Sequence, residues 1–224
     1  MNMGKRIFFL IIIFVLGFPV YENKTWANQT SVTAMKATEG LITYQKQYKG
    51  QPYIELEGNS NAIKSINKTL KLHAVRAAAS NKYNVNEYPY GTYETSVKVL
   101  YVTGDLISIV HEDYSYSGGV HGLSATISYN FNYKTAQQFN FFNVVNPNKQ
   151  LSSVRSYISE RLKARYNAGE NLFEDAAETF ELTKDTSFYF YKDGIVIVFD
   201  PYMVGPYAEG AIKVQVPYSV FKSK

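Results

Sequence analysis

Between Leu123 and Tyr133 the chain alternates without a break: Leu123, Ala125, Ile127, Tyr129, Phe131 and Tyr133 stand at every second position, with Ser124, Thr126, Ser128, Asn130 and Asn132 between them. A period of two is the period of a β-strand, and an apolar row beside a polar row means one buried face and one wet face. That pattern belongs to antiparallel sheets; the strands of a parallel sheet, covered on both sides, read as continuous apolar runs. The buried face needs a cover, and two segments carry a helical stripe that suits it. Asn59 or Ser60 can cap a helix that places Ile63, Ile66, Leu70, Ala74 and Ala77 at steps of three and four. A second helix, from about Gln150 to Asn167, aligns Leu151, Val154, Ile158 and Leu162, with Asn148 as its cap and Gly169 as its stop. Further strands are expected over Leu41 to Tyr48, Pro52 to Leu56, Tyr93 to Val102, Leu106 to Tyr116, Ser187 to Tyr191, Ile195 to Phe199 and Ala211 to Val216. Lys192-Asp193-Gly194 turns one hairpin and Thr103-Gly104-Asp105 another. The order predicts an α+β fold, a mainly antiparallel sheet with two principal helices packed on it.

The N-terminus reads as an export signal. Lys5 and Arg6 precede an apolar stretch from Ile7 to Val20, and Thr25-Trp26-Ala27 sets small residues where signal peptidase cuts. Residues 1–27 are therefore expected to be a signal peptide cleaved after Ala27, with an uncleaved anchor as the alternative, and 28–35 a short polar tether. The mature protein is expected outside the bacterial cytoplasm, secreted or held at the envelope. It contains no cysteine, so its stability must come from a packed core and not from disulfides. Cleavage removes Lys5, Arg6, Lys24 and Glu22 and lowers the formal charge from +4 to +2. Such weak basicity excludes a nucleic-acid partner as the reason for the composition. The sequons at Asn23, Asn28 and Asn67 carry no meaning in a bacterial exported chain.

The stretch HEDYSYSGGVHGL, from His111 to Leu123, concentrates ionisable side chains and glycines. On a strand His111 and Asp113 share a side and Glu112 takes the other. If the chain reverses near Ser117, His121 returns opposite His111, and two histidines with a carboxylate would suit zinc. No H-E-x-x-H helix accompanies them, and no metal site or cofactor is expected. Ser117-Gly118-Gly119 lacks the G-x-S-x-G spacing, and no phosphate-binding glycine loop is present. Glu112, Asp113, Asp200 and Glu209 leave a carboxylate-dependent glycan hydrolase as the enzymatic alternative, beside a metal-dependent hydrolase or deacetylase. Gly118, Gly119 and Gly122 are read as conformational. His73 flanks the first helical stripe, where a packed or solvated histidine is the expectation. Arg161, Lys163 and Arg165 crowd the end of the second helix and are read as a solvated basic end.

Tyr116-Ser117-Gly118-Gly119-Val120-His121-Gly122, followed by Tyr129-Asn130-Phe131-Asn132-Tyr133-Lys134-Thr135, resembles the G-G-x-H-G and YNFD-x-KTG region of the RsiV-type extracellular module. FYFYKDGIVIVFDPYMVGPYAEG, from Phe188 to Gly210, with VPYSVF after it, resembles the C-terminal signature of the same module. The resemblance places an N-terminal half over 36–116 and a C-terminal half over 117–221. It implies a non-catalytic part: the lysozyme-sensing region of an anti-sigma factor, also found upstream of some peptidoglycan deacetylase domains. Because neither a sigma-binding segment nor a deacetylase domain flanks these residues, the expected role is binding alone, as a monomer, to a lysozyme-like protein or a cell-wall glycan. Carried over by position, the two loops Ser117 to Gly122 and Asp200 to Gly210 face the partner, with Gly118, Gly119, His121, Tyr202, Pro206 and Tyr207 as the candidate binding residues.

Overall fold

The computed structural model describes the backbone of residues 33–38 and 40–221, and the side chains of 40–221. The expected signal peptide, 1–27, lies outside the described residues, as do residues 28–32 of the expected tether; the last three tether positions open the first strand. In chain order the elements are β1 (Thr33–Thr38), β2 (Leu41–Tyr48), β3 (Gln51–Leu56), α1 (Asn61–Glu87), β4 (Thr92–Thr103), β5 (Leu106–Tyr116), β6 (Leu123–Asn132), β7 (Gln137–Phe139), α2 (Phe141–Val144), α3 (Leu151–Asn167), α4 (Ala176–Thr179), β8 (Phe188–Tyr191), β9 (Gly194–Phe199) and β10 (Ile212–Pro217). The fold is α+β, and every strand pair among the described residues is antiparallel.

Among the described residues the strands divide into three sheets ordered β1-β2-β3, β4-β5-β6-β7 and β10-β9-β8, where the sequence pattern suggests one. Two hydrophobic cores result. α1 starts at Ser60, whose hydroxyl accepts from the Ile63 amide at 3.2 Å, and it buries Ile63, Ile66, Leu70, His73, Ala74 and Ala77. Against that stripe lie Leu41, Ile54 and Leu56 from β2 and β3, and Val97, Ile107, Ile109 and Phe131 from β4 to β6. Asn67, the third sequon, acts structurally. Its side-chain amide meets both the amide and the carbonyl of Leu56, at 2.8 and 2.9 Å, and so pairs the open end of β3. The helix stops ahead of Pro89, as the preference of a pre-proline residue for extended backbone requires.

The second core gathers Val154, Ile158 and Leu162 of α3 with β8 to β10. All six residues of β9 are buried, which accounts for its unbroken GIVIVF run. α3 begins differently from expectation: its cap is Gln150, without a side-chain capping bond, and Asn148 lies in the turn before it. Gly169 does follow the helix, at φ 88°, where glycine carries no steric cost. The short elements β7, α2 and α4 leave no trace in the sequence pattern because three or four residues cannot display a period.

β5 joins the two cores. Ile107, Ile109, His111 and Asp113 face α1, whereas Ser108 and Val110 are buried on the opposite face. There Ser108 Oγ donates to Asn130 Oδ1 at 2.6 Å, Asn130 Nδ2 donates to the Phe188 carbonyl at 2.8 Å, and the Phe190 amide donates to Ser108 Oγ at 3.0 Å. Alternation along β6 is correct, but the division into a dry and a wet face is not uniform. Phe131 and Asn130 are both buried at one end, while Leu123 is 65% exposed at the other. Burial follows what lies above each residue, which the strand period does not encode.

Candidate functional site

The β5–β6 connection and the segment after β9 meet. Asp200 Oδ1 accepts from the Thr126 amide of β6 at 2.9 Å, and Ser187 Oγ donates to the Thr126 carbonyl at 2.6 Å. The first bond ties the start of the 200–210 segment to β6, and the second ties the start of β8 to the same residue; burial pushes the Asp200 carboxyl up, partly offset by its bonds to Thr126. Beside this anchor the His121 ring stacks on Tyr207 with centroids 4.0 Å apart and a 17° tilt. His121 Nδ1 donates to the Gly122 carbonyl at 2.8 Å, and Nε2 meets the Tyr202 hydroxyl at 3.1 Å. The Tyr202 and Tyr207 rings stand 5.8 Å apart. Three of the six candidate binding residues thus form one aromatic cluster, although 81 positions separate His121 from Tyr202.

Local conformation explains the loops. Gly118 and Gly119 take φ of 104° and 99°, which L side chains rarely adopt. Gly122 is different: a Cβ there would stand 2.5 Å from the Ser115 carbonyl and from the Tyr114 ring, so close approach demands the glycine. Tyr202 has φ 72° without being glycine, a strained state costing on the order of 1–3 kcal/mol that is concentrated at functional sites. Pro206 precedes a 3-10 turn over Tyr207–Glu209. Tyr202 and Met203 are exposed, as are Val120 on the other loop and Leu123 at the start of β6. Next to the cluster runs an open groove of about 620 Å³ lined by Glu94, Glu112, Ser124, Thr126, Tyr207 and Lys213 among others.

His111 does not meet His121. The register sets His111 opposite Val97 on one side and Ile127 on the other, and His121 is exposed on the loop. β5 continues to Tyr116 and β6 begins at Leu123, so His121 sits in the turn between them and not on a strand facing His111. As expected, His111 and Asp113 share a face and Glu112 points away from it, exposed. The partner that the sequence leaves at the margin of its stripe is His73 of α1. His73 Nε2 lies 3.0 Å from Asp113 Oδ1, and its Nδ1 3.1 Å from the Tyr129 hydroxyl. Tyr93 donates its hydroxyl to Asp113 Oδ2 at 2.7 Å. Thr95 Oγ1 sits between both rings, 3.4 Å from His73 Nε2 and 3.3 Å from His111 Nδ1. His73, His111 and Asp113 are all buried. Burial and the adjacent His73 push the His111 imidazole down to about 3 against the pull of Asp113. Burial alone would raise Asp113, but hydrogen bonds from His73, Thr95 and Tyr93 hold it below the ordinary carboxylate value. The sequence signal for His73 is its place three residues after Leu70, one step along the apolar stripe.

The basic end of α3 is paired within the molecule. Lys163 meets Glu178 at 2.8 Å, Arg165 meets Glu170 at 2.6 Å and donates to the Lys213 carbonyl, and Arg161 lies over the Tyr157 ring.

Two stretches of the chain are similar to known families. Residues 24–124 match the family described as deacetylase PdaC, and residues 141–219 match the family described as a protein of unknown function, DUF3298. No curated protein matches the chain. A DUF3298 family protein from Pseudomonas aeruginosa PAO1 is similar in fold, with 13% identity, 86% of this chain and 93% of that chain covered, and a TM-score of 0.58. A member of the same family from Bacteroides fragilis covers the same shares at 13% identity with a TM-score of 0.48. The chain therefore combines a PdaC-like region with a DUF3298-like region on an α+β fold that a DUF3298 protein shares. Among the described residues no helix is long and apolar enough to cross a membrane.

Proposed function

We propose that this protein is a non-catalytic, extracytoplasmic binding module of the RsiV-like type in a bacterial envelope, and that it recognises a protein such as lysozyme or a peptidoglycan-related ligand. The observation that carries this reading is the aromatic cluster of His121, Tyr202 and Tyr207. Rigid aromatic side chains with few rotamers supply large contact area at low entropic cost, and such residues dominate interface energetics. The stack and the Tyr202 hydrogen bond hold them in place before any ligand arrives, and preorganisation of this kind raises affinity. Exposed Val120, Leu123 and Met203 add apolar surface around them. Glu94 and Glu112 in the neighbouring groove give it an acidic side that suits a cationic protein ligand. The pairing of Lys163 and Arg165 with acidic residues argues against a wall polyanion bound at α3. His121 spends its two nitrogens on a carbonyl and a tyrosine hydroxyl, with no carboxylate orienting it as a general base.

Titration against lysozyme and against isolated cell walls, each at two salt concentrations, tests the reading. Saturable binding at micromolar concentration or below is expected. Tyr202→Ala and Tyr207→Ala should each weaken it by about 1–3 kcal/mol, chiefly through faster dissociation. Absence of binding to both ligands overturns the proposal. Turnover of peptidoglycan or of acetylated sugars that disappears in His121→Ala would replace it with the enzymatic alternative.

A further inference from the structure

The geometry points to a second site, inside the α1 core: His73, His111 and Asp113 bind one first-row transition-metal ion, zinc foremost. The proposal is independent of the loop surface and uses a different histidine pair from the one the sequence suggested. One ligand atom from each of the three residues falls within 4.8 Å of the other two. An ion at the centre of such a triangle is no farther than about 2.8 Å from any corner, and zinc takes nitrogen and carboxylate oxygen at about 2.0–2.2 Å. Each side chain need contract by less than about 1 Å, well within rotamer adjustment. The two imidazoles now lie with centroids 3.8 Å apart and planes tilted by 32°, so ligation turns the ring edges to the ion.

The donor set selects the metal. Two imidazoles and one carboxylate favour zinc and its neighbours over calcium or magnesium, which prefer all-oxygen shells. The surroundings are those of a ligand shell as well. A metal-bound histidine ordinarily hands its other ring nitrogen to an oxygen partner, and a bound carboxylate is itself hydrogen-bonded. His73 Nδ1 has the Tyr129 hydroxyl, and Asp113 Oδ2 has the Tyr93 hydroxyl. Thr95 Oγ1, within 3.4 Å of both imidazoles, places a neutral oxygen on the fourth side of the cluster.

His111 separates a metal site from an ordinary buried ion pair. The His73–Asp113 contact by itself satisfies those two residues. It leaves His111, with no exposed surface, holding an Nε2 that has no hydrogen-bond partner among the described residues. Buried polar nitrogens are nearly always satisfied, and a neutral imidazole in this position has a lone pair to offer. Because the cluster is enclosed by α1 and β5, the ion would enter as the protein folds and add its binding free energy to stability.

The test uses the full chain without a histidine tag. The protein is unfolded in denaturant with a chelator, then refolded with cobalt(II) or zinc(II), or with neither. Expected are one metal per chain by elemental analysis, the visible absorption of a low-coordinate cobalt site with a nitrogen-containing shell, and a higher thermal midpoint for the metal-loaded protein. Asp113→Asn, nearly isosteric, should fold and lose at least tenfold in cobalt affinity; His73→Gln and His111→Gln should do the same. Refolded wild-type protein that takes up no cobalt, or takes it up without visible bands and with an unchanged midpoint, overturns the proposal even if a variant fails to fold. Cobalt binding that Asp113→Asn and His111→Gln both leave intact overturns it too.

Discussion

In metal-free protein, Asp113→Ala is expected to cost about 3–5 kcal/mol of folding stability, read as the shift of the denaturant midpoint at constant slope. Asp113 Oδ1 and Oδ2 are the acceptors for His73 and Tyr93. Truncation strands both groups inside the α1 core, and each buried group left without a partner costs about 1–3 kcal/mol. The methyl left in place of the side chain also leaves a void between α1 and β5, which adds to the loss. Asp113→Asn should cost clearly less, since an amide oxygen still accepts from Tyr93. A loss below about 1 kcal/mol for the alanine variant would mean that water or a relaxed helix reaches these groups, and that the network does not hold α1 to the sheet.

The second large effect is expected at the joint between the cores. Asn130 is 1% exposed and links Ser108 to the Phe188 carbonyl, while Ser108 accepts from the Phe190 amide. Asn130→Ala should destabilise by about 2–4 kcal/mol, because the Phe188 carbonyl and the Ser108 hydroxyl lose their partner in a site that excludes water. Ser108→Ala should cost a similar amount, and the double variant much less than the two added together, since each single change breaks the same chain of bonds. Faster hydrogen exchange at the Phe190 amide is the local signature. Additive costs in the double-variant cycle would show that the two cores are held by apolar packing alone. The joint lies between the region similar to PdaC and the region similar to DUF3298, so the same cycle reports whether those two regions unfold as a single unit.

Legibility in the sequence depended on range. The stripe Ile63, Ile66, Leu70, Ala74, Ala77 and the stripe Val154, Ile158, Leu162 were readable because a helix repeats its own face every three or four residues. The same is true of the alternation in β6 and of the Lys192-Asp193-Gly194 turn. Asn148 as a cap failed for a local reason: Asn146 takes over the turn, accepting from the Asn148 and Lys149 amides and leaving Gln150 to open the helix. The loops Ser117 to Gly122 and Asp200 to Gly210 stand out in the sequence through their resemblance alone, and nothing in either predicts that His121 stacks on Tyr207.

By itself, then, the sequence determined the α+β class, the antiparallel character of the strands and the two principal helices, since all of these are written in periods of two and of 3.6 within one segment. Tertiary structure alone decided which of the three histidines meet. The sequence leaves open whether His121 returns opposite His111; in the fold β5 runs on to Tyr116 and His121 goes to Tyr202 and Tyr207, while α1 delivers His73 from 40 residues upstream to Asp113 and to the His111 ring beside it. The division into two cores and the burial of Asn130 within an apparently wet row belong to the same category. Register and helix docking are set by the summed packing of Ile66, Leu70, Ile107, Ile109 and Phe131 across distant segments. No local pattern encodes that sum, and a change of one residue in register would turn every side chain on the strand to the other face.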